Sequence, residues 1–284
     1  MKKTLPDIAA LVSELPDADR PGRESKFTGP PPEEARRIAA AIIAGGAESV
    51  TELAAMVRDA AGGGDENYKP GYALRCVGLQ VAGEDRAKER AAFVAGIAAV
   101  LRFEELSAGA KGFLVRELEA AGADESVEAL AGALAEESLR GDAVRALVAI
   151  GGTRAREALR KALGKTAGGS GARLALIHAL GALADGDARD AFRAALGDDD
   201  SGVRLAAAWT LARTASGAED GKRVVDAAKS AAGWERIQLL KSALLLAETL
   251  ASSGDADGAE AVRARLREGD DPAEEYLRRA AGGA

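Results

Sequence analysis

Apolar residues recur along most of the chain at helical spacing rather than in strict alternation. Ala, Leu and Arg are abundant, and all three favour helix, whereas strand-forming residues are sparse. Glycines and aspartates cluster between the apolar-periodic stretches, where helix ends and turns need them. The pattern predicts an all-α chain whose helices, roughly ten to fifteen residues long, are joined by short turns.

The helical pattern repeats along the chain. Six stretches close with a small residue at steps of 39, 29, 30, 31 and 39 residues: Gly83, Gly122, Gly151, Gly181, Ala212 and Ala251. Between them lies a second signature, Ala-Leu-x-x-Ala-Leu, at 129–134 and 158–163, with Ala-Phe in its place at 191–196. Two alternating helices per unit of about 30 residues predict an α-solenoid, in which a helical hairpin buries its apolar face only against its neighbours.

The repeat sets the predicted domain boundaries. Residues 1–48 are predicted to hold N-terminal helices and a Pro-rich strap at 16–32, which carries five of the eight prolines. Residues 49–267 are the predicted repeat solenoid, and 268–284 are a C-terminal cap and tail. The Ser-Val-Thr-Glu sequence at 49–52 fits a capping box and predicts a helix start there.

The stretch 196–211 reads Leu-Gly-Asp-Asp-Asp-Ser-Gly-Val-Arg-Leu-Ala-Ala-Ala-Trp-Thr-Leu. It resembles HEAT repeats, especially the short HEAT-like units first described in phycobilisome lyases. Those units place an Asp-containing turn before a second helix that opens Val-Arg-x-x-Ala-Ala. The expected Arg recurs at Arg75 and Arg173 and is absent at three matching positions: Leu114, Ala143 and Ala243. The resemblance implies an α-solenoid (superhelix) of about six helical-hairpin repeats with N- and C-terminal capping helices.

Two columns of positions on the second helices differ in chemistry. The column three residues before each closing residue is mixed: Gln80, Glu119, Val148, His178, Trp209 and Glu248. The column seven before it is apolar: Cys76, Val115, Val144, Leu174, Leu205 and Leu244. This contrast predicts that the first column faces solvent and the second is buried, with Cys76 a packed thiol. The resemblance implies that second helices line the concave face, so we expect the first column to be the partner-binding surface.

Charge narrows the classes of partner. The chain has 38 Lys and Arg against 45 Asp and Glu, a net charge of −7, which disfavours a phosphate-backbone binder. Residues 138–174 nevertheless carry eight bases and two acids, and a possible basic patch lies there: Arg154, Arg156, Arg160, Lys161 and Lys165. The favoured interpretation is that these basic side chains face solvent and are neutralised by acidic side chains on the adjacent repeats. The alternative is a patch for an acidic partner or nucleic acid.

Catalytic chemistry finds little support in the sequence. With one His and one Cys, the chain cannot build a centre that needs two imidazoles or several thiolates. The acidic runs at 198–200 and 255–257 lack calcium-loop spacing and are predicted to cap helices. No Ser-His-acid set is suggested by the spacing. The sequence therefore predicts no catalytic residue, no metal and no cofactor.

The leading functional hypothesis is a non-catalytic scaffold that binds a protein or peptide on the concave face. The alternatives are a lyase-like chaperone or enzyme acting on a tetrapyrrole, a nucleic-acid-binding solenoid such as a glycosylase, and a structural spacer. Nucleic acid is not the expected partner, and a monomer is the default state. No signal-peptide pattern and no run of about 20 apolar residues is present, which predicts a cytoplasmic protein without a membrane partner.

Overall fold

A computed structural model of the chain describes residues 5–16, 31–57, 68–165, 169–215, 217–269 and 271–282. The predicted Pro-rich strap at 16–32 lies largely outside these residues. All the regular elements within them are helical, which confirms the predicted fold class. Since the chain divides into two compact units, residues 1–158 and 159–284, each is described by itself.

Within the residues that the structure describes, the first unit contains eight α-helices and the first half of a ninth. These are α1 (Ile8–Ser13), α2 (Pro32–Gly45), α3 (Ala47–Ala55), α4 (Tyr68–Val81), α5 (Ala87–Leu101), α6 (Ala108–Ala121), α7 (Val127–Ala133), α8 (Glu137–Ile150) and α9 (Gly152–Lys165), which runs across the division. The second unit contains α10 (Ser170–Ala182), α11 (Arg189–Ala195), α12 (Ser201–Arg213), α13 (Ala218–Lys229), α14 (Gly233–Ser252), α15 (Ala256–Arg267) and α16 (Glu275–Gly282).

Helices of like parity pack on one another, which creates two layers in each unit. In the first unit α2 packs on α4, α4 on α6 and α6 on α8, while α3 packs on α5. In the second unit α10 packs on α12 and α12 on α14, while α13 packs on α15. The even-numbered helices are the second helices of the predicted pairs. Within each unit, successive helical pairs therefore pack on one another, as the repeat spacing predicts.

Several helix ends follow from local chemistry. Asp200 caps α12 by accepting a hydrogen bond from the Val203 N–H at 3.1 Å, and Asp255 caps α15 from the Gly258 N–H at 2.8 Å. The capping-box prediction was wrong. Helix α3 begins two residues earlier at Ala47, after Gly46, whose φ of 75° ends α2 and starts α3. Ser49 is therefore buried inside the helix rather than at its cap.

Buried carboxylates tie neighbouring elements together. Four of them are at most 4% exposed and each meets an arginine from 25 to 42 residues away in sequence: Glu117 with Arg75, Asp185 with Arg160, Asp220 with Arg193 and Glu274 with Arg236. Such a charge is tolerated in the interior only when it is paired and hydrogen-bonded. These pairs therefore link successive helical pairs by a contact that apolar packing alone does not specify.

The repeat register differs from the sequence alignment in α8. Arg140 donates to the Leu134 carbonyl at 3.0 Å, and Arg204 of α12 donates to the Asp198 carbonyl, likewise six residues earlier, at 2.6 Å. Arg140 thus fills the position that the alignment assigned to Ala143. The alignment was one helical turn off because α8 continues one turn further before its closing Gly151 than α10 does before Gly181.

Among the described residues no single helix is both long and apolar enough to cross a membrane. Helices α2 and α3 reach that length and composition only when taken together, and the two meet at a bend of 119°.

Candidate functional site

A groove of about 440 Å³ opens in the second unit between α10, α12 and α14. Its walls combine apolar, aromatic and polar side chains: Leu174, His178, Gly202, Leu205, Ala206, Trp209, Trp234, Gln238, Lys241, Ser242 and Leu245. Both tryptophans of the chain lie in it. Three of the even-numbered helices of this unit, α10, α12 and α14, therefore contribute side chains to a single surface.

The position of the two predicted columns explains this surface. Leu174 and His178 are four residues apart on α10, and so are Leu205 and Trp209 on α12. Residues four apart lie on the same helix face, so the two columns form one surface instead of opposite sides. The prediction that the apolar column is buried was therefore wrong for every member except Val115. The other five are half-buried: Cys76, Val144, Leu174, Leu205 and Leu244.

Trp209 is held in place by its neighbours although 38% of it is exposed. The His178 ring meets it edge-on with ring centroids 6.5 Å apart, and the Arg213 guanidinium lies 4.5 Å from the centre of the indole ring. Contacts of this kind restrict the indole without covering it. Trp209 thus presents a preordered aromatic surface to the groove.

Trp234 is more exposed, at 69%, which is the highest value among the large apolar side chains of the described residues. It is the second residue of α14 and follows Gly233, whose φ of 56° turns the chain into the helix. An aromatic residue this exposed loses more water-accessible area on binding than any other in the groove.

An arginine–carboxylate network joins the three helices at one end of the groove. Arg173 of α10 lies 2.7 Å from Asp198 in the turn before α12, and Arg204 of α12 donates to Glu235 of α14 at 2.6 Å. Arg204 also donates to the carbonyls of Asp198 and Asp199. Hydrogen bonds from Arg173 hold the pKa of Asp198 below its ordinary value, so this carboxylate stays ionised and the network stays closed at neutral pH.

The groove carries one positive charge, on Lys241. Lys241 is exposed on α14 and is the one fully charged residue among the lining side chains. Ser242 donates to the Gln238 carbonyl at 3.0 Å, which engages its hydroxyl with the backbone. The groove therefore offers an apolar floor, two indole rings and a single cationic amine.

The predicted binding column is divided between the two units. His178 and Trp209 meet in the groove, and neither is buried. Glu248 is exposed on α14 but does not line the groove, where Leu245 stands one turn earlier. The other three predicted residues belong to the first unit and are half-buried: Gln80, Glu119 and Val148. Their role in binding stays a prediction.

The possible basic patch falls on α9, and several of its charges are already engaged. Arg160 bonds Asp185 and Asp187, each at 2.8 Å, and Arg154 donates to the Asp124 carbonyl at 3.0 Å. Arg156 is half-buried, while Lys161 and Lys165 are exposed. Engagement of Arg160 and Arg154 fits the interpretation in which charges of adjacent faces neutralise one another.

A larger cleft of about 670 Å³ lies in the first unit between α5 and α7, and six of its fourteen lining residues are alanines. Two of its three glutamates are already paired, Glu125 with Arg90 at 3.2 Å and Glu136 with Lys111 at 3.5 Å. It contains no aromatic side chain. Aromatic anchors dominate binding energy at protein surfaces, so the smaller groove is the stronger candidate site.

The one cysteine shows no sign of an activated thiol. Cys76 is half-buried, and desolvation raises the pKa of its thiol against the opposing hydrogen bond with Tyr72. Within the described ranges no cluster of three or more His, Cys, Asp or Glu side chains is arranged to hold a metal ion.

Part of the second unit is similar to a known repeat family. Residues 170–245 match the family of HEAT repeats, which confirms the predicted resemblance and encloses all the residues that line the groove. Among solved structures, the chain is similar to the complex of CpcE and CpcF of phycocyanin lyase from Nostoc sp. PCC7120. The two are 18% identical, with 92% of this chain and 98% of that chain covered and a TM-score of 0.41. No curated protein matches the sequence.

Sequence reasoning missed Trp234 and Lys241. Both lie on α14, which has 20 residues against 13 in α12. Counting back from the closing residue of α14 places the binding column at Glu248, whereas the buried stripe of Leu239, Ala243 and Leu246 points to Lys241 and Leu245. The apolar periodicity of α14 itself would have found them.

Proposed function

We propose that this protein is a non-catalytic interaction scaffold that binds a protein or peptide partner through the groove between α10, α12 and α14. The observation that carries the proposal is the pair of exposed tryptophans, Trp209 and Trp234, on a surface whose other apolar side chains are three leucines and one alanine.

Exposed indole rings on a rigid surface are typical of binding hot spots. A few aromatic and arginine side chains usually supply most of the energy of a protein interface, at about 2 kcal/mol or more each. Trp209 is preordered by His178 and Arg213, so little side-chain entropy is lost when a partner covers it. Helices α10, α12 and α14 are rigid supports joined by the Arg204 network.

The polar groups of the groove support binding rather than catalysis. His178 is the single histidine of the chain, and its ring faces an indole. The one hydroxyl that lines the groove, on Ser242, is bonded to the backbone of its own helix. A nucleophile–base pair needs such groups within hydrogen-bond reach of each other. The arrangement favours a surface that recognises a partner without transforming it.

A peptide-display selection tests this function. A library of random 12-residue peptides is selected against the full chain, and enriched sequences are synthesised and titrated by fluorescence polarisation. We expect binding that weakens about tenfold or more in Trp209→Ala and in Trp234→Ala. The matched control is Tyr276→Ala, because Tyr276 is 50% exposed on α16 and does not line the groove.

The proposal fails if no peptide is enriched over an unrelated helical protein. It also fails if the selected peptides bind both tryptophan variants as tightly as the Tyr276→Ala control. Far-ultraviolet circular dichroism of each variant establishes that any loss of affinity is not a loss of helix.

A further inference from the structure

We propose that the groove recognises an acidic–apolar peptide segment, in which an aromatic or branched aliphatic side chain packs on the tryptophans and a nearby carboxylate pairs with Lys241. The inference rests on the proposed function and specifies the chemistry of the partner.

The charge of the groove points to an anionic group on the partner. No Asp or Glu lines it, and Lys241 is its one full charge. Three arginines on the same three helices are each paired with a carboxylate: Arg173 with Asp198, Arg204 with Glu235 and Arg236 with Glu274. Lys241, by contrast, has no ion pair within the residues that the structure describes. A cation left unmatched beside an apolar surface is complementary to a carboxylate that arrives with the partner.

A second cation, Arg213, lies against Trp209. The Arg213 guanidinium sits over the indole ring, and it too has no carboxylate partner in the described part of the chain. The contact with the indole ring, rather than an ion pair, holds the guanidinium in place. Arg213 therefore adds positive potential next to the aromatic surface. The chain as a whole has a net charge of −7, so this positive groove is a local exception to its composition.

The helix geometry fixes the spacing expected in the partner. Lys241 follows Trp234 by seven residues, which is two turns along the same face of α14. At about 1.5 Å per residue the two positions are about 10 Å apart along the helix axis. An extended peptide advances about 3.3 Å per residue, so its carboxylate should lie about three residues from its apolar anchor. The flexible lysine side chain widens this to roughly two to four residues.

A single strand of nucleic acid also stacks on aromatic rings, but the groove suits it less well. Such binding needs a row of cations along the backbone as well as stacking platforms. The lining offers one lysine and three leucines instead. A peptide is therefore the favoured ligand, and a fluorescein-labelled dT12 oligonucleotide serves as the competing probe.

Selection on charge-reversed protein tests the inference. The same 12-residue library is selected in parallel on wild type, on Lys241→Glu and on Lys222→Glu, a control that reverses an exposed lysine of α13 in the other layer of the unit. We expect wild type and the control to enrich peptides with Asp or Glu two to four residues from an aromatic, Leu or Ile. Lys241→Glu should instead enrich Lys or Arg at that spacing.

Titration of the selected peptides provides the second readout. Replacing the spaced acid by Asn or Gln in a wild-type-selected peptide should weaken it about fivefold, and Lys241→Glu should weaken the parent peptide on the order of tenfold. The inference is overturned if peptides bind in a tryptophan-dependent way but show no acidic preference or no response to Lys241→Glu. That result leaves the scaffold function intact, whereas loss of all peptide binding removes both.

Binding of the dT12 oligonucleotide tests the alternative that the groove recognises single-stranded nucleic acid. We expect dT12 to bind at least tenfold more weakly than the selected peptides at 150 mM salt. Tighter binding by dT12, with the logarithm of its affinity falling steeply and linearly with the logarithm of the salt concentration, would show that the groove binds nucleic acid. That result would overturn the inference of a peptide ligand.

Discussion

Replacing Gly181 by alanine would force two neighbouring second helices apart. A Cβ atom at Gly181 of α10 would lie 2.7 Å from Oγ1 and 3.0 Å from Cγ2 of Thr210 in α12. Both distances are well inside normal van der Waals contact. The substitution therefore tests whether small residues at the ends of second helices let successive repeats approach closely, which is the physical basis of the repeat signature.

Two opposing effects set the magnitude. Overpacking of a close contact costs about 1–3 kcal/mol. Alanine in place of glycine inside a helix raises the free energy of unfolding by about 1 kcal/mol through its higher helix propensity. We therefore expect Gly181→Ala to lower the free energy of unfolding by about 1 kcal/mol. Thr210→Ala removes the two nearest atoms, and the Thr210 hydroxyl has no hydrogen-bond partner within the described residues, so that change forfeits little hydrogen bonding. The free energy of unfolding of the double variant, Gly181→Ala with Thr210→Ala, should be about 1–2 kcal/mol higher than the sum of the two single effects predicts.

Urea unfolding followed by tryptophan fluorescence is the assay, because both tryptophans belong to the second unit, as Gly181 and Thr210 do. Gly171→Ala on the same helix is the matched control, since nothing lies within 4 Å of a Cβ there. It should be neutral or stabilising by up to about 1 kcal/mol. Equal stability of the two alanine variants, or strict additivity in the double variant, would refute the close-approach reasoning.

Three further predictions concern buried and reactive groups. Asp220→Ala should destabilise the protein by about 2 kcal/mol in urea unfolding, because it removes a carboxylate that is 1% exposed and is shared by Arg189 and Arg193. Asp190→Ala, which removes an exposed carboxylate, should change stability by less than about 0.5 kcal/mol, and equal effects would contradict the prediction. Desolvation raises the pKa of Glu117, so wild-type stability relative to Glu117→Gln should fall as pH rises above about 4; a relative gain over pH 4–8 would contradict this sign. Cys76 should react with Ellman's reagent more slowly than free cysteine at pH 8, and an equal or faster rate would show an activated thiol.

The sequence was sufficient for the architecture because repeat spacing and helix ends depend on local chemistry. Closing glycines such as Gly181 mark helix ends where neighbouring backbones approach, and Asp200 caps its helix through its own side chain. These signals need no knowledge of distant contacts. The alternating layers then follow because each helical pair has a single apolar stripe to bury.

The errors arose where helices differ in length. Counting back from the closing Gly151 assigned the repeated arginine to Ala143 instead of Arg140, and counting back from the closing Ala251 missed Lys241. One column was predicted to face solvent and the other to be buried, although a spacing of four residues places them side by side. Arginine–carboxylate partners such as Arg204 and Glu235 are 31 residues apart, and only the packing of three helices brings them together.

Side-chain footprinting of the groove tests the account most directly. Hydroxyl-radical oxidation of the full chain, read residue by residue by mass spectrometry, is compared with and without a saturating selected peptide. Trp209 and Trp234 should be oxidised in the free protein and protected several-fold by the peptide, while Tyr276, exposed on α16, should keep its rate. Unchanged oxidation of both tryptophans, with protection elsewhere on the chain, would show that the partner binds another surface.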